Sequence, residues 1–237
     1  MKTLLVLAGG FGTRLRSAVA DVPKPLAPVA NKPFLIHLLN NMISQGARDI
    51  ILLLHYEAYK VEEMISSMKD NGLLSDIQIR TLIETTPLGT GGAILNALNV
   101  FNLKNSFVVI NADTWIGSGL EEIARSKSPS IASVKINNCD RYGSLKIAKK
   151  KIVAFSEKEP NKKNNWINAG MYHLDKNNFL GFKQGSFFSL EEKILPNLAF
   201  SKKLGVVKLE TEFIDIGVPE DYIRFCNWME KEKKIEL

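Results

Sequence analysis

Short apolar runs alternate with stretches of helical periodicity through the first half of the chain. Residues 50–54 and 107–110 contain no polar side chain, which is typical of strands that are buried on both faces. The predicted strands are Lys2–Leu7, Ile50–Leu54, Ile77–Ile83 and Phe107–Ile110, and the predicted helices are Lys32–Gln45, Ala58–Lys69 and Gly91–Leu98. This alternation favours an α/β fold with a Rossmann-like, mixed but mainly parallel sheet that is flanked by helices.

The pattern changes after about residue 131, where shorter strands are separated by turns. The strands predicted here are Ile131–Ile136, Ser144–Ile147, Ile152–Phe155 and Ile167–Leu174, and helices are predicted at Leu190–Leu198 and Pro219–Glu232. Since no segment rich in proline, glycine or serine separates the two patterns, we expect a single domain. Its halves cover about residues 1–115 and about residues 116–237.

Composition and charge narrow the class of protein. Of the 237 residues, 45% are hydrophobic and 24% are charged, which is ordinary for a globular protein. The longest apolar runs are far shorter than the roughly 20 residues of a membrane-spanning helix, so we expect no membrane segment. The net charge of +6 suits an anionic ligand. The lysine clusters are short and lack interleaved aromatic residues, so nucleic-acid binding is not indicated.

The cysteines and histidines do not indicate a metal or redox site. Cys139 and Cys226 form no CxxC motif, and the three histidines are scattered without zinc-ligand spacing. Free thiols are typical of a reducing compartment, so we expect a cytoplasmic protein. Self-association into a homo-oligomer is left open.

A glycine-rich loop follows the first predicted strand. Residues 7–15 read Leu-Ala-Gly-Gly-Phe-Gly-Thr-Arg-Leu. Glycines let backbone N–H groups approach an anion closely, and Arg14 adds a forked positive charge that suits phosphate. Leu15 stands where a dinucleotide fingerprint has its last glycine, and the Gly-Lys-Ser/Thr of a Walker A loop is missing. The loop therefore predicts a phosphate-binding site that is neither a dinucleotide fingerprint nor a Walker A loop.

A conformationally restricted lysine comes next. Pro23 and Pro25 flank Lys24 and limit the backbone angles on both sides of it. A lysine held beside a phosphate loop stabilises negative charge without losing much conformational freedom. Taken alone, the motif would indicate a proline-rich surface turn, but beside the glycine loop it predicts a second phosphate ligand.

These motifs resemble those of the sugar-1-phosphate nucleotidyltransferase family. The resemblance rests on residues 7–15 followed by Pro23-Lys24-Pro25-Leu26. It extends in the family's order through residues 87–93, 111–113, 155–158, 168–170 and 213–219. Among family members, residues 141–143, 189–191 and 216–222 are most similar to the D-glycero-α-D-manno-heptose 1-phosphate guanylyltransferases. Ala112 stands where many relatives carry glycine, which an ordinary strand end tolerates.

The resemblance implies the reaction. An oxygen of a sugar 1-phosphate attacks the α-phosphorus of a nucleoside triphosphate in line, and pyrophosphate leaves, so no protein nucleophile is needed. The task is to bring two anions together, which calls for cations and Mg²⁺. Arg14 and Lys24 are the implied catalytic residues, and Asp113 and Asp215 are the implied Mg²⁺ ligands. The product would be a nucleotide sugar for surface polysaccharide synthesis.

The resemblance also assigns the nucleotide to the first half of the chain and the sugar phosphate to the second. The implied nucleotide-binding residues are Leu7, Ala8, Gly9, Gly10, Gly12, Thr13, Arg14, Lys24, Glu84, Pro87, Gly89, Thr90 and Gly91. The implied sugar-phosphate-binding residues are Asn111, Tyr142, Gly143, Glu157, Lys158, Asn168 and Gly170.

Glu84 bears on the choice of base, because it is the acidic side chain that precedes the segment 87–92. Guanine offers two adjacent N–H donors that one carboxylate can accept together, whereas uracil and thymine offer one N–H between two carbonyls. Glu84 therefore favours GTP as the substrate, unless it is a solvated strand end.

Other functions remain open at this point. A uridylyl- or guanylyltransferase for another hexose or mannose-type 1-phosphate fits the same motifs. A non-catalytic nucleotide-sugar sensor would be favoured by loss of Arg14, Lys24 or either aspartate, and all four are present. A hydride-transferring Rossmann enzyme would need a ribose-binding acid after the second strand, where His55-Tyr56 stands instead.

Overall fold

The computed structural model describes residues 2–15, 17–19, 22–72, 74, 76–103, 105–138, 142, 144–156 and 163–235. The strands are β1 Leu4–Leu7, β2 Pro28–Val29, β3 Lys32–Pro33, β4 Asp49–Leu54, β5 Gln78–Ile83, β6 Phe107–Asn111, β7 Thr114–Ile116, β8 Ser130–Asn138, β9 Ser144–Ala148, β10 Lys151–Ser156, β11 Lys163–Leu174, β12 Gly205–Leu209 and β13 Phe213–Asp215. The α-helices are α1 Phe34–Ser44, α2 Ala58–Asp70, α3 Gly89–Val100, α4 Leu120–Arg125, α5 Leu195–Phe200 and α6 Pro219–Ile235. Short 3₁₀ turns occur at Thr13–Leu15, Lys24–Leu26 and Lys176–Phe179, and a π-helical turn at Leu190–Ile194.

One sheet of nine strands runs through both halves of the chain in the order β5-β4-β1-β6-β11-β8-β12-β10-β9. The first four of these strands are parallel. The strands beyond them pair mostly antiparallel, apart from the parallel pair β8 and β12. The predicted α/β sheet flanked by helices is confirmed.

The apolar strands are covered on both faces, as their composition predicts. Side chains on a strand alternate between the two faces of a sheet. In β1, Leu4 and Val6 therefore join one core cluster, with residues of α1, α2, α4 and α6, while Leu5 joins another, with residues of α3 and α5. No helix in the described part of the chain is both long enough and apolar enough to cross a membrane.

The hydrophobic pattern did not predict several short elements. β12, α4 and the two-stranded sheet of β7 and β13 are absent from the predictions. β7 and β13 have three residues each and α4 has six, which is too few for a period to be detected. The predicted helix at residues 32–45 begins only at Phe34, since Lys32–Pro33 pairs with Pro28–Val29. The predicted helix at 190–198 starts with the π-helical turn.

Candidate active site

The carboxyl ends of the parallel strands meet at one edge of the sheet. Leu7 at the end of β1 is in register with Leu53 of β4 and with Asn111 at the end of β6. A cavity of about 360 Å³ opens at this edge. It is lined by Leu7, Gly9, Gly10, Phe11, Leu53, Glu84, Pro87, Gly89, Thr90, Ala93, Asn111, Asp113 and Phe187. The structure therefore brings together predicted residues from three separate motifs.

The glycine loop uses its glycines in different ways. Gly12 has a φ of +63°, and a Cβ at this position would lie 2.9 Å from Cβ of Lys24. A Cβ on Gly9 would lie 3.2 Å from Cβ of His55. At Gly10, no atom lies within 4 Å of the Cβ position. Gly9 and Gly12 thus permit close packing of the loop, while Gly10 leaves open space beside the cavity.

The other predicted residues of the loop lie around the cavity rather than in its lining. Ala8 is 4% exposed and belongs to the core. Thr13 and Arg14 are exposed on the 3₁₀ turn that follows the glycines. Within the described residues Arg14 has no ion-pair partner. Burial raises the pKa of Asp215, and the Arg14 guanidinium offsets a small part of that rise. Its charge is therefore close to the aspartates and available to a ligand.

Lys24 reaches one of the two predicted metal ligands. Pro23, with φ −61°, precedes the 3₁₀ turn that begins at Lys24. Nζ of Lys24 lies 2.5 Å from Oδ2 of Asp113, and the lysine side chain is only 11% exposed. The restricted backbone predicted from the flanking prolines thus directs the ammonium group toward Asp113.

Pairing of β7 with β13 brings the two aspartates together. Asp215 is in register with Thr114, and the Ile216 N–H donates to the Asp113 carbonyl at 2.9 Å. The Asp215 carboxylate accepts a hydrogen bond of 2.7 Å from the Gly217 N–H. Burial raises the pKa of Asp215, the nearby Asp113 raises it further, and Lys24 lowers it. Two neighbouring carboxylates with a single lysine beside them are not fully neutralised, so they are suited to bind a further cation.

The donor set fits Mg²⁺ better than a metal held by protein alone. In the described part of the chain, no group of three or more histidine, cysteine, aspartate or glutamate side chains is placed to hold an ion. Mg²⁺ usually takes one or two carboxylates and completes its shell with phosphate oxygens and water. Asp113 and Asp215 satisfy that requirement.

Glu84 lies at another part of the cavity wall, directly after β5. It is 9% exposed, so a solvated strand end is excluded. Its Oε2 accepts a 3.0 Å hydrogen bond from the Leu88 N–H, and its backbone carbonyl accepts one of 2.9 Å from Nδ1 of His55. Burial raises the pKa of the Glu84 carboxyl, while the Leu88 N–H and His55 lower it.

The glycines at the start of α3 pack against a segment of the second half. The N–H groups of Gly91 and Gly92 donate to the Phe188 carbonyl at 3.0 and 3.2 Å, and the Phe188 N–H donates to the Leu88 carbonyl at 3.0 Å. A Cβ on Gly89 would lie 2.6 Å from the Phe188 oxygen, and one on Gly91 would overlap the Phe188 ring. Gly91, predicted to bind nucleotide, thus lies against Phe188 and not in the cavity lining.

A polar network joins α3 to β11. The Thr90 hydroxyl donates to Oε2 of Glu191 at 2.6 Å, and Ser189 donates to the same oxygen at 3.0 Å. The Asn168 amide donates to the Tyr172 hydroxyl at 2.8 Å, and that hydroxyl lies 3.4 Å from the other Glu191 oxygen. Thr90, predicted to bind the nucleotide, and Asn168, predicted to bind the sugar phosphate, are therefore linked through Glu191 and Tyr172.

Two sugar-side predictions, Asn111 and Gly170, lie together beside the cavity. Gly170 has a φ of +71°, and a Cβ there would lie 2.9 Å from Nδ2 of Asn111. Oδ1 of Asn111 is buried and has no hydrogen-bond partner among the described residues. Because a buried acceptor is costly to leave unpaired, this oxygen is available to a ligand donor.

Tyr142, another sugar-side prediction, does not line this cavity. Tyr142 packs on Phe213, with ring centroids 5.8 Å apart, in a separate cavity of about 670 Å³ that Lys135 and Arg224 also line. Gly143, Glu157 and Lys158 lie outside the described residues. Their roles stay predictions.

Sequence reasoning missed residues that the geometry makes prominent. A Cβ on Gly217 would lie 2.7 Å from Oδ1 of Asp215 and 2.9 Å from Nζ of Lys24. Gly217 stands in a segment quoted for the resemblance, so its spacing from Asp215 offered a signal. Glu191 likewise stands in the quoted segment 189–191. Phe187 offered no signal, because its place depends on how residues 186–191 dock on α3.

Comparisons with known proteins show the family of the chain. The family model described as nucleotidyl transferase matches residues 3–232. The D-glycero-α-D-manno-heptose 1-phosphate guanylyltransferase of Campylobacter jejuni is 38% identical over 93% of this chain and 97% of its own length. The enzyme of the same name from Aneurinibacillus thermoaerophilus is 35% identical over 92% of this chain and 94% of its own.

A solved structure shows the same fold. HddC from Yersinia pseudotuberculosis, crystallised in complex with GMP-PN, matches with a TM-score of 0.82 and 34% sequence identity. The match covers 97% of this chain and 100% of that one. The chain belongs to the nucleotidyl transferase family.

Proposed function

We propose that this member of the nucleotidyl transferase family transfers the GMP group of GTP to D-glycero-α-D-manno-heptose 1-phosphate. A bond forms between a sugar-phosphate oxygen and the α-phosphorus of GTP, and the bond from that phosphorus to the β-phosphate oxygen breaks. The products are a GDP-heptose and pyrophosphate. The observation that carries the proposal is one cavity that is lined both by Glu84 and by Asp113, the ion-pair partner of Lys24. Glu84 follows β5 and Asp113 follows β6, and β4 and β1 lie between these two strands in the sheet, so the two carboxylates stand at opposite ends of the cavity.

The charged end suits the reacting phosphates. Asp113 and Asp215 would hold Mg²⁺, which supplies charge neutralisation at the transferring phosphoryl group when it is bound. Lys24 is already held at Asp113 and is 11% exposed, so its ammonium group can turn to a phosphate oxygen with little loss of side-chain freedom. The exposed Arg14 would hold the outer phosphates of GTP.

The other end suits guanine. Oε2 of Glu84 is occupied by the Leu88 N–H, while Oε1 has no hydrogen-bond partner among the described residues. Oε1 can accept from a guanine N–H, and Oε2 can accept a second hydrogen bond beside that of Leu88, because each carboxylate oxygen has two lone pairs. The names of the most similar relatives support both guanine and heptose as the specific choices.

Cellular context follows from the product. A GDP-heptose is an activated sugar donor, and its use in surface polysaccharide synthesis by a cytoplasmic enzyme is part of this proposal.

A pyrophosphate-release assay tests the proposal. The full chain is incubated with Mg²⁺, with GTP, UTP, dTTP or CTP, and with heptose, mannose or glucose 1-phosphate. We expect release that requires all three components and is fastest with GTP and the heptose phosphate. Release without any sugar phosphate, or no release across the panel, would contradict the proposal. A preference for mannose 1-phosphate would correct the sugar and retain the guanylyl transfer.

A further inference from the structure

Two large aromatic side chains are exposed at the same cavity. Phe11 is 46% exposed and Phe187 is 72% exposed, and both line the cavity that contains Glu84. A single exposed ring needs no explanation, but apolar rings that converge on one cavity with a few polar groups are characteristic of a small-molecule site. The rings are therefore candidates for contact with a ligand.

The two rings differ in how they are held. The Phe11 ring packs against His55 and Tyr56, with centroid distances of 5.5 Å in both cases. Phe187 follows Ser186 and precedes the anchored Phe188, which is 5% exposed and stacks on Phe182 at 4.2 Å. The backbone on both sides of Phe187 is thus fixed while its own ring faces the cavity and solvent.

The location of Phe187 identifies the part of the ligand that it would meet. Its Cε2 atom lies 3.4 Å from the Cβ position of Gly89, within the turn that Glu84 holds through the Leu88 N–H. Phe187 therefore lies beside the turn that follows Glu84. A ligand edge that pairs with Glu84 would bring its flat face near this ring.

We infer that Phe187 is a base-contacting residue that favours purine nucleotides. The inference rests on the proposed function, since it assigns the Glu84 end to the base. Phenyl rings stack on every nucleobase, and the contact grows with the area of overlap. A two-ring purine overlaps Phe187 more than a one-ring pyrimidine does. Glu84 would then recognise the hydrogen-bonding edge of the base, and Phe187 would favour the larger ring system of a purine.

Binding measurements on the full chain test this role without requiring turnover. The dissociation constants of GTP and UTP are measured by calorimetry with Mg²⁺ and without sugar phosphate. The variants are Phe187→Ala, Phe187→Trp and a matched control, Phe200→Ala. Phe200 is 89% exposed on α5 and does not line the cavity, so its removal tests the general effect of deleting a surface ring.

We expect Phe187→Ala to weaken GTP binding about tenfold and UTP binding about threefold or less. Phe187→Trp should bind GTP as tightly as the wild type, and Phe200→Ala should change neither constant. GTP binding by Phe187→Ala within twofold of the wild type, or equal losses for both nucleotides, would overturn the inference. Wild-type protein that binds neither nucleotide would overturn the proposed function itself, which separates the two failures.

Discussion

At one end of the cavity, Lys24, Asp113 and Asp215 concentrate charge, whereas at the other end Glu84 is set among Pro87 and Phe187. The charged end is built by short elements, a 3₁₀ turn and a two-stranded sheet, that bring three distant segments together. The Glu84 end is built by a turn that docks on residues 186–190. Under the proposed function, this difference places reaction and base recognition on separate residues, which can be changed independently.

Loss of a metal ligand should have the largest effect. Asp113→Asn or Asp215→Asn should reduce kcat about a thousandfold, because several kcal/mol of charge stabilisation is lost at the transferring phosphoryl group. Pyrophosphate release at saturating substrates measures this. Asp70→Asn, at an exposed position at the end of α2, serves as the control. Near-normal activity of either variant would remove that residue from the metal site.

Loss of the lysine should have the next largest effect. Lys24→Ala should lower kcat about a hundredfold and change the dissociation constant of GTP much less, since only interactions that strengthen in the transition state raise kcat. Steady-state kinetics and calorimetry separate the two quantities, with the exposed Lys32→Ala as the control. An effect on KM alone would assign Lys24 to ground-state binding.

At the other end of the cavity, a change at Glu84 should affect the selectivity for the base more than the rate. Glu84→Gln should reduce the preference for GTP over UTP by about ten- to a hundredfold, because the amide sets an N–H against a guanine donor and leaves a buried donor unpaired. The same amide can pair with uracil, so UTP should lose little. Since the amide oxygen can still accept from the Leu88 N–H, the turn should survive.

The smallest effect should be on stability. Burial raises the pKa of Glu84 in the folded state, so the ionised carboxylate opposes folding at neutral pH and its protonation at lower pH removes that cost. Glu84→Gln should therefore melt a few degrees above the wild type at pH 7. The difference should shrink as the pH falls through the range in which Glu84 becomes protonated. A lower melting temperature for the variant at pH 7 would show that the charge stabilises the fold.

Sequence patterns predicted more of the strands than of the contacts between distant segments. β4 and β6 contain the continuous apolar runs 50–54 and 107–110 and are about as long as typical strands, so their presence and burial were predictable. The proximity of Asp113 to Asp215 depends on the pairing of two three-residue strands, which no periodicity reveals. The resemblance supplied those residues instead.

The glycines also show that contacts between distant segments were not predictable from the sequence. Gly9, Gly10 and Gly12 were predictable as a close-approach loop, but Gly91 faces Phe188, almost a hundred residues away along the chain. Only the folded structure shows that residues 186–191 pack there and bring Phe187 and Glu191 toward the nucleotide half.

The most direct test of the division between the two ends is the ratio of kcat/KM for GTP to kcat/KM for UTP in Glu84→Gln and Lys24→Ala. We expect Glu84→Gln to lower the ratio by at least about tenfold, and Lys24→Ala to lower both values while leaving the ratio within about twofold of the wild type. An unchanged ratio in Glu84→Gln, or a changed ratio in Lys24→Ala, would contradict the separation of recognition from reaction.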